Sequence, residues 1–417
     1  MSGDHSGGAS RRGFMQSAGL LAAVAGGGFA PANAAGTISN AEPFYGARQS
    51  GILTPPQRHS YFAAFDLDSP KRDDLVAMLK NWTVTSAALA KGEPVILPAN
   101  ASYGAEDSAD ALGLGPSRLT LTFGFGASLF IKDGKDRYGL AAARPEALID
   151  LPRFSGDQLI EARSGGDLSV QACADDPQVA FHAIRHITQL AYGVGRIRWA
   201  QTGFLPNTPP GETARNLMGF KDGTNNPSPT DEAALTKHVF VSDGPAWMHN
   251  GSYVVARRIQ IALEHWDRMR TNFQEQAIGR QRMSGAPFGK TNEFDAVDFA
   301  ATGSDGNPLV PLNAHVRIAS AENNDGARIL RRPYSYNDGI SYKAERFPPW
   351  RQGMQYDAGL HFICYQRDPR EGFAKIFSKL AMADMLNQFT IHTGSGLFAC
   401  PGGAAAGEFI GEKLFSA

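Results

Sequence analysis

A pattern that recurs at a fixed offset constrains the fold of this chain more than any other feature. An apolar segment ends at Asp176-Pro177 and a helical pattern follows it, and the same arrangement occurs at Asp368-Pro369. The two prolines are 192 residues apart (369 − 177 = 192), and Ser60-Tyr61 and Ser252-Tyr253, which each open an apolar run, have the same offset. Four matched positions can arise by chance, but the agreement of the predicted elements favours duplication of one unit.

The elements predicted in the two halves are those of α+β units. In the first half we expect strands at 61–67, 168–173 and 197–203, a β-rich segment at 119–130, and helices at 72–90 and 177–191. In the second half we expect strands at 253–263, 316–318, 328–331 and 359–365, and helices at 266–278 and 369–382. This order predicts two ferredoxin-like domains with antiparallel sheets.

The N-terminal segment predicts an export signal. Arg11 and Arg12 precede an apolar, Gly/Ala-rich run at 18–30, and Ala32-Asn33-Ala34 offers the small residues of a cleavage site. Paired arginines followed by Phe14 are typical of twin-arginine export, which predicts a periplasmic or other extracytoplasmic location. A disordered basic tail and a membrane anchor are the alternatives, and the anchor is disfavoured because a spanning helix needs about 20 residues.

These patterns divide the chain into four predicted segments. They are a signal at 1–34, an extended lead-in at 35–56, an N-terminal domain at 57–226 and a C-terminal domain at 227–417. The boundary falls between loop-rich stretches, so the turn around Asp222 is expected at the domain junction. Ligand sites favour such junctions.

Charge and cysteine content exclude several classes of protein. The formal net charge of the 417 residues is −1, and it becomes −2 without the predicted signal, which holds two arginines and one aspartate. This balance gives no support for binding to nucleic acid. Three cysteines, Cys173, Cys364 and Cys400, are too few for a disulfide framework or a Cys-based metal centre. A single disulfide bond between two of them is compatible with an oxidising compartment, but the spacing favours no particular pair.

The segment 219–227, with the sequence GFKDGTNNP, places a carboxylate in a tight turn. Gly and Asn tolerate positive φ, and Pro ends a helix or a central strand. Asp222 is therefore expected to be held at a fixed angle. Such a carboxylate can act as a turn cap, a metal ligand or a proton-transfer group, and the turn alone does not decide among these roles. The acidic residues that follow lack the spacing of a calcium loop.

Three further side chains are distinctive in their local context. His315 adjoins a Val-Arg-Ile segment that is predicted as a strand. Arg331 follows an Ile-Leu pair on another predicted strand, where a buried guanidinium needs an anionic partner. Asp384 lies on a predicted helix just before segment 389–396. Taken singly, these are interpreted as a surface or core histidine, half of a structural ion pair and a solvated helix residue.

Taken together, these segments resemble the dye-decolorizing (DyP-type) haem peroxidases. The resemblance rests on the Gly-Phe-Lys-Asp-Gly-Thr-Asn turn at 219–225, on His315 with Val-Arg-Ile-Ala and on Ile-Leu-Arg-Arg at 329–332. Two further stretches support it, at 278–287 and 389–395. It covers essentially the whole chain after the signal and is closest to the exported bacterial branch that includes the deferrochelatase/peroxidase of iron-uptake systems. It implies a fold of the dimeric α+β barrel type, with one haem b per chain in a pocket mainly in the C-terminal domain.

The resemblance also implies a role for each distinctive side chain. His315 corresponds to the proximal ligand of the haem iron, and Asp384 to the acidic hydrogen-bond partner behind it. Asp222 corresponds to the distal aspartate, which moves a proton during cleavage of the peroxide. Arg331 corresponds to the distal arginine, whose fixed charge stabilises the developing anion and contacts a propionate. Arg332 is the alternative if the register is shifted by one residue.

Further haem contacts are implied on both sides of the pocket. They are Gly223, Thr224 and Asn225 after the distal aspartate, Ser320, Ala321 and Glu322 after the proximal ligand, and Arg331 itself. The family often has Asn-Pro-Arg where this chain has Ser320-Ala321-Glu322. The departure removes an expected arginine and leaves one propionate contact in doubt.

Three hypotheses about function follow. The first is a peroxidase that reduces hydrogen peroxide and oxidises a small-molecule reductant such as a dye, a phenolic or a haem-related compound. The second is a haem- or iron-handling accessory protein beside an iron-uptake permease, with incidental peroxidase activity. The third sets the resemblance aside and treats the chain as a non-haem α+β binding module with a structural histidine and arginine. Nucleic acid is not an expected partner, and the family resemblance implies a homo-oligomer, a dimer.

Overall fold

The described residues contain one antiparallel sheet of nine strands. The strands are β1 His59–Leu67, β2 Thr120–Gly126, β3 Leu168–Ala174, β4 Gly195–Phe204, β5 Ser252–Ile261, β6 Leu330–Arg331, β7 Tyr334–Ala344, β8 Gln352–Gln366 and β9 Thr390–Cys400. Their order is β5-β9-β2-β3-β1-β4-β7-β8-β6, and β5 also pairs with β8. This extra pairing closes the sheet into a barrel, with β6 alongside β8.

Helices lie between these strands. The α-helices are α1 Arg72–Ala90, α2 Ala127–Phe130, α3 Pro177–Ala191, α4 Glu232–His238, α5 Leu263–Trp266, α6 Thr271–Ile278, α7 His315–Ile318, α8 Lys375–Ala383 and α9 Glu412–Phe415. Short 3-10 turns lie at Ala141–Ala143, Glu161–Arg163, Ala246–Met248, Glu322–Asn324 and Met385–Gln388, and a π-helical turn lies at Arg370–Ala374. Within the described ranges, no helix has the length and apolar character that a membrane span requires.

The predicted duplication is visible in the strand order. In the first half β1 pairs with β3 and β4, and in the second half β5 pairs with β8 and β9. The orders β2-β3-β1-β4 and β7-β8-β5-β9 are therefore equivalent. Both match the ferredoxin-like arrangement, which confirms the predicted α+β fold class with antiparallel sheets.

Local chemistry explains why the best-predicted elements form where they do. The carboxylate of Asp176 accepts hydrogen bonds from the backbone N–H groups of Gln178 and Val179, and Pro177 follows at the first helical position. This is the combination that starts a helix. Trp82 of α1 is 1% exposed, and its indole N–H donates to the carbonyl of Ile187 at 2.9 Å. The two long helices of the first half are thereby joined.

The structure is a computed structural model that describes residues 40–96, 106–209, 211–344 and 352–416. The predicted signal at 1–34 and the first part of the lead-in, 35–39, lie outside the described residues. The described part of the lead-in forms neither helix nor strand. The division at residues 226 and 227 stays a prediction, because contacts join residues 40–417 into one unit.

Several predictions of local structure were wrong. Residues 316–318 belong to α7 rather than to a strand, because the amide N–H groups of Ile318 and Ala319 donate to the carbonyls of Ala314 and His315. The helix predicted at 266–278 is two shorter helices, and the one predicted at 369–382 begins as a π-helical turn. Strands β7 and β9 were not predicted. All three cysteines are buried and free, so no disulfide forms among them.

Candidate functional site

The turn that contains Asp222 has the backbone geometry that its sequence predicts. Gly219 has φ of +88° and Gly223 has φ of +131°, both in the region that favours glycine. The amide N–H of Asp222 donates to the carbonyl of Ala214 at 2.9 Å. The turn therefore fixes the backbone on both sides of the carboxylate.

The carboxylate of Asp222 forms an ion pair with Arg331. Nη1 of Arg331 donates to Oδ1 of Asp222 at 2.8 Å, and the side chains are 25% and 14% exposed for Arg331 and Asp222 respectively. Asn226, in the same turn, donates from Nδ2 to the carbonyl of Arg331 at 2.8 Å and accepts from its amide N–H at 3.1 Å. One turn thus binds both the backbone and the guanidinium of Arg331.

The neighbouring arginine lies on the opposite face of its strand. The guanidinium of Arg332 donates to the carbonyl of Thr54 and to Oε1 of Gln57. Side chains alternate along a strand, so only one of the two arginines can face Asp222. The structure brings Arg331, not Arg332, to the aspartate.

His315 and Asp384 form a second pair. Nδ1–H of His315 donates to Oδ2 of Asp384 at 2.6 Å, and the Asp384 side chain is 4% exposed. Oδ1 of Asp384 accepts from the amide N–H of Leu386 at 2.9 Å, so both carboxylate oxygens are occupied. Asp384 lies between α8 and the following 3-10 turn, just past the predicted helix. The hydrogen bond to Nδ1 leaves the lone pair on Nε2.

The electrostatics of His315 connect the two pairs. Burial lowers the pKa of His315, but the charge and hydrogen bond of Asp384 outweigh it, so the pKa is raised. Two smaller effects act in opposite directions: the charge of Arg331 lowers the pKa of His315, and the charge of Asp222 raises it. Charges act on one another in this way only at short range or through poorly screened space. The charges of the Asp222–Arg331 pair therefore act at His315.

Glu293 supports the Asp222 turn, and the sequence analysis missed it. Lys221 donates from Nζ to Oε2 of Glu293 at 2.6 Å, and Thr224 donates from its hydroxyl to Oε1 at 2.8 Å. These two residues flank Asp222 closely. Burial raises the pKa of Glu293, but hydrogen bonds from Lys221, Thr213 and Thr224 outweigh it and lower the pKa. No local motif marks Glu293, because its partners are about 70 residues away in the chain.

The stretch 284–287 is adjacent to the same turn. Gly285 has φ of +75°, and a Cβ atom there would lie 2.8 Å from Cδ of Lys221. Nη1 of Arg280 donates to the carbonyls of Gly285 and Glu293 at 2.8 and 2.7 Å. Burial lowers the pKa of Arg280, Glu293 raises it and the charge of Arg331 lowers it, so the two arginines are close.

The other predicted haem contacts lie in the segment that follows Asp222 and in the segment that follows His315. Asn225 is exposed, and Gly223 and Thr224 are half-buried beside Asp222. Ser320 is buried, and its hydroxyl accepts from the amide N–H of Asn323 at 3.3 Å. The next residue, Ala321, is half-buried, and Glu322 is exposed. Because α7 is helical, this segment follows a helical turn and not the predicted strand.

This set of residues fits a haem group. An axial ligand needs an imidazole nitrogen with a free lone pair, and Nε2 of His315 provides one, with its side chain 34% exposed. A hydrogen bond from the other ring nitrogen to a carboxylate is the usual support of a metal-binding histidine. Arg331 and Arg280 have guanidinium groups that would pair with the carboxylates of a porphyrin.

Comparison with known proteins gives the family. The model "Dyp-type peroxidase, N-terminal" matches residues 49–205, and the model "Dyp-type peroxidase, C-terminal" matches residues 213–405. A dye-decolorizing peroxidase of Thermobifida fusca (strain YX) is 38% identical over 384 residues, which cover 88% of this chain and 84% of that protein. A deferrochelatase of Escherichia coli (strain K12) is 33% identical over 398 residues, which cover 92% and 90%.

A solved structure shows the same similarity. Ferric DtpA from Streptomyces lividans superimposes with a TM-score of 0.83 at 43% identity, over 91% of this chain and 98% of that chain. Family models and relatives both span the two halves of the sheet and all four residues of the paired site. The chain belongs to the Dyp-type peroxidase family and is a haem-dependent oxidoreductase that acts on hydrogen peroxide.

Proposed function

We propose that this protein is an exported haem b peroxidase with one haem per chain, in which Asp222 and Arg331 line the distal side and His315 and Asp384 the proximal side. The observations that carry the proposal are the hydrogen-bonded pairs His315–Asp384 and Asp222–Arg331, and the action of both charges of the second pair on His315. When bound, haem supplies the redox chemistry that cleaves the O–O bond of hydrogen peroxide and accepts electrons from a reductant.

On the proximal side, Nε2 of His315 would hold the haem iron. Asp384 holds the imidazole by the 2.6 Å hydrogen bond to Nδ1, which fixes the tautomer and makes the ring a stronger electron donor. The carboxylate is itself held by the amide N–H of Leu386. A rigid, electron-rich ligand favours the oxidised forms of the iron.

On the distal side, Asp222 moves a proton and Arg331 stabilises charge. The carboxylate takes a proton from the bound peroxide oxygen and returns it to the outer oxygen, which leaves as water. The guanidinium faces the negative charge that develops on the leaving oxygen. The 2.8 Å bond between the two side chains sets the direction of the carboxylate before peroxide arrives.

Rapid mixing tests the distal assignment. In Asp222→Asn and Arg331→Leu we expect haem to be retained, because neither side chain binds the iron. The second-order rate of the Soret change after mixing with hydrogen peroxide should fall by about 100-fold or more, as for removal of an acid–base group or a charge-stabilising donor. Arg332→Leu is a poor control because Arg332 is buried. Arg58→Leu, in the loop before β1, is the matched control.

The two variants separate the contributions of the pair. If Asp222→Asn is slow and Arg331→Leu is as fast as the wild type, the carboxylate acts alone. If both variants react at the wild-type rate, neither residue works on peroxide and the distal assignment is wrong.

The relative named deferrochelatase supports a second candidate, an accessory role in handling haem or iron beside an iron-uptake permease. Removal of iron from haem exchanges one iron ion for two protons and leaves a fluorescent metal-free porphyrin. Incubating the haem-loaded protein with a reductant, without peroxide, separates the two functions. Stoichiometric porphyrin fluorescence supports iron release, and unchanged haem together with rapid turnover of peroxide supports the peroxidase.

Location and assembly belong to the same proposal. The paired arginines at the N-terminus support export by the twin-arginine route to the periplasm or another extracytoplasmic compartment. Family resemblance supports a homodimer. Small-molecule reductants such as dyes and phenolics are the proposed electron donors. Fractionation of cells and the native mass of the purified protein test location and assembly directly.

A further inference from the structure

A cluster of metal-binding side chains lies in the first half of the chain and has no part in the proposed haem site. Asp107, His182 and His186 each offer one ligand atom, and these atoms all lie within 4.8 Å of one another. The two histidines are four residues apart on α3, so their side chains share one face of the helix. Asp107 comes from the loop that ends in a turn at Asp110.

The distances within the cluster suit a small tetrahedral ion. Nε2 of His182 lies 3.5 Å from Oδ2 of Asp107, and Nε2 of His186 lies 3.9 Å from Oδ1 of the same carboxylate. In a tetrahedral zinc site with bonds of about 2.0–2.1 Å, neighbouring ligand atoms are about 3.3–3.4 Å apart. The three ligand atoms lie within 4.8 Å of one another, so binding an ion would draw them closer together.

The hydrogen bonds around the cluster prepare the His182 imidazole for a metal. Nδ1 of His182 bonds to Oδ1 of Asp110 at 2.8 Å, which leaves the lone pair of Nε2 facing Asp107. A carboxylate behind the imidazole is the recurrent support of a metal-binding histidine. Nε2 of His186 lies 3.0 Å from the hydroxyl oxygen of Ser108 and 3.4 Å from its amide nitrogen, so a bound ion would displace Ser108 from this nitrogen.

His186 is the most deeply buried residue of the cluster, and neighbouring groups shift the pKa values of His186 and Asp107. The His186 side chain is fully buried, and its Nδ1 has no hydrogen-bond partner among the described residues. Burial and the charge of His182 lower the pKa of His186 to about 4, so the ring is neutral at neutral pH. Burial raises the pKa of Asp107, but hydrogen bonds from Val95 and Ala109 outweigh it and lower the pKa. A neutral imidazole and an ionised carboxylate are the forms that bind metals.

We propose that Asp107, His182 and His186 bind a divalent ion of borderline softness, Zn²⁺, with water as the fourth ligand. Two imidazoles and one carboxylate are the ligands of known zinc sites, whereas Ca²⁺ and Mg²⁺ favour sites made wholly of oxygen. The ion links the loop at Asp107 to α3. Oδ2 of Asp107 also accepts from the amide N–H of Val95 at 2.7 Å, so the link extends to the segment after α1. The site stabilises the fold and leaves the peroxide reaction unchanged.

Metal content and affinity test the site in the haem-loaded protein. After treatment with a chelator and dialysis against ZnCl2, we expect one zinc per chain beyond the iron. Asp107→Asn and His182→Ala should each weaken zinc binding by at least about 10-fold, and Asp110→Asn, which changes the carboxylate behind His182, by about 10- to 100-fold. Asp150→Asn is the matched control, because Asp150 is an exposed aspartate of the same half. Equal zinc affinity in the wild type and in Asp107→Asn overturns the proposal.

Two further readings keep the test decisive if a variant folds poorly. A ligand that binds only the folded state raises the midpoint of thermal unfolding, so zinc should raise it in the wild type and not in Asp107→Asn. X-ray absorption at the zinc edge of the wild type, which iron does not obscure, should show imidazole and oxygen ligands without sulfur. A thermal shift of the same size in both proteins, sulfur ligation or binding below one equivalent rejects the site as adventitious.

Discussion

At the scale of single residues, Asp222 is held by several independent restraints. Arg331 binds its carboxylate, and Glu293 holds both Lys221 and Thr224 on either side of it. Proton transfer to a bound peroxide depends on the position of the carboxylate within a fraction of an ångström. Glu293 therefore acts through Asp222 and is a positioning residue.

Glu293→Gln tests this role. Glutamine keeps the shape of the side chain but removes the charge that holds Lys221. We expect haem binding and the resting spectrum to stay unchanged, and the rate of the peroxide reaction to fall by about 10-fold because the turn loosens. Adding Glu293→Gln to Asp222→Asn should then cause no further tenfold loss, since the two changes act on one group. Glu212→Gln, on an exposed loop near the turn, is the control.

Two results would count against a positioning role for Glu293. A wild-type rate in Glu293→Gln means that the turn keeps Asp222 in place without it. Full additivity with Asp222→Asn means that Glu293 acts on the reaction by another route.

At the scale of elements, β8 carries a buried histidine that couples folding to pH. His361 is 1% exposed, its ring lies 5.5 Å from that of Phe62, and neither ring nitrogen has a hydrogen-bond partner among the described residues. Burial and the charge of Arg258 lower the pKa of His361 to about 3. Below a pH of about 6.5, the unfolded chain therefore binds a proton that the folded chain rejects.

The stability that neutral His361 contributes is complete above pH 6.5 and is lost as the pH falls towards about 3. Between pH 6.5 and 4.5 this loss is about 2–3 kcal/mol, at about 1.4 kcal/mol per pH unit. Between pH 6.5 and 4.5, the free energy of unfolding of His361→Leu should therefore fall by about 2–3 kcal/mol less than that of the wild type. Denaturant unfolding at several pH values measures it, and equal pH dependence in both proteins contradicts the prediction.

The elements also show what the sequence could predict. Helices α1 and α3 have the predicted bounds, 72–90 and 177–191. In α3 the apolar periodicity and the Asp-Pro start are local signals. Strands β7 and β9 are defined by pairing with β8 and β5, which no local window contains. Helix α7 reverses the strand preference of Val-Arg-Ile, because Arg317 donates to the carbonyls of Val310 and Phe299 and holds the turn.

At the scale of the whole molecule, the two equivalent halves share one sheet. Strand β2 pairs with β9 at Phe125 and Gly126, and β4 pairs with β7 through Phe204 and Ser335. Family motifs predicted the paired residues of the site, since each lies in a distinctive segment. Glu293 could not be predicted, because only the folded chain brings it to Lys221 and Thr224.

A shared sheet predicts cooperative unfolding of the two halves. Opening one half exposes unpaired strand edges in the other, which is costly for backbone N–H and C=O groups. When hydrogen exchange is measured at increasing denaturant concentrations, the amides of β1 and β5 should therefore lose protection in the same transition. Loss of protection in β1 at a denaturant concentration where β5 stays protected contradicts the prediction.

The central claim is that His315 binds the haem iron, and the optical spectrum of His315→Gly tests it most directly. Glycine removes the ligand and leaves a space that free imidazole can fill. The variant should lose haem or show a shifted Soret band, and added imidazole should restore the wild-type spectrum. A variant that retains haem with an unchanged spectrum, with or without imidazole, contradicts the claim.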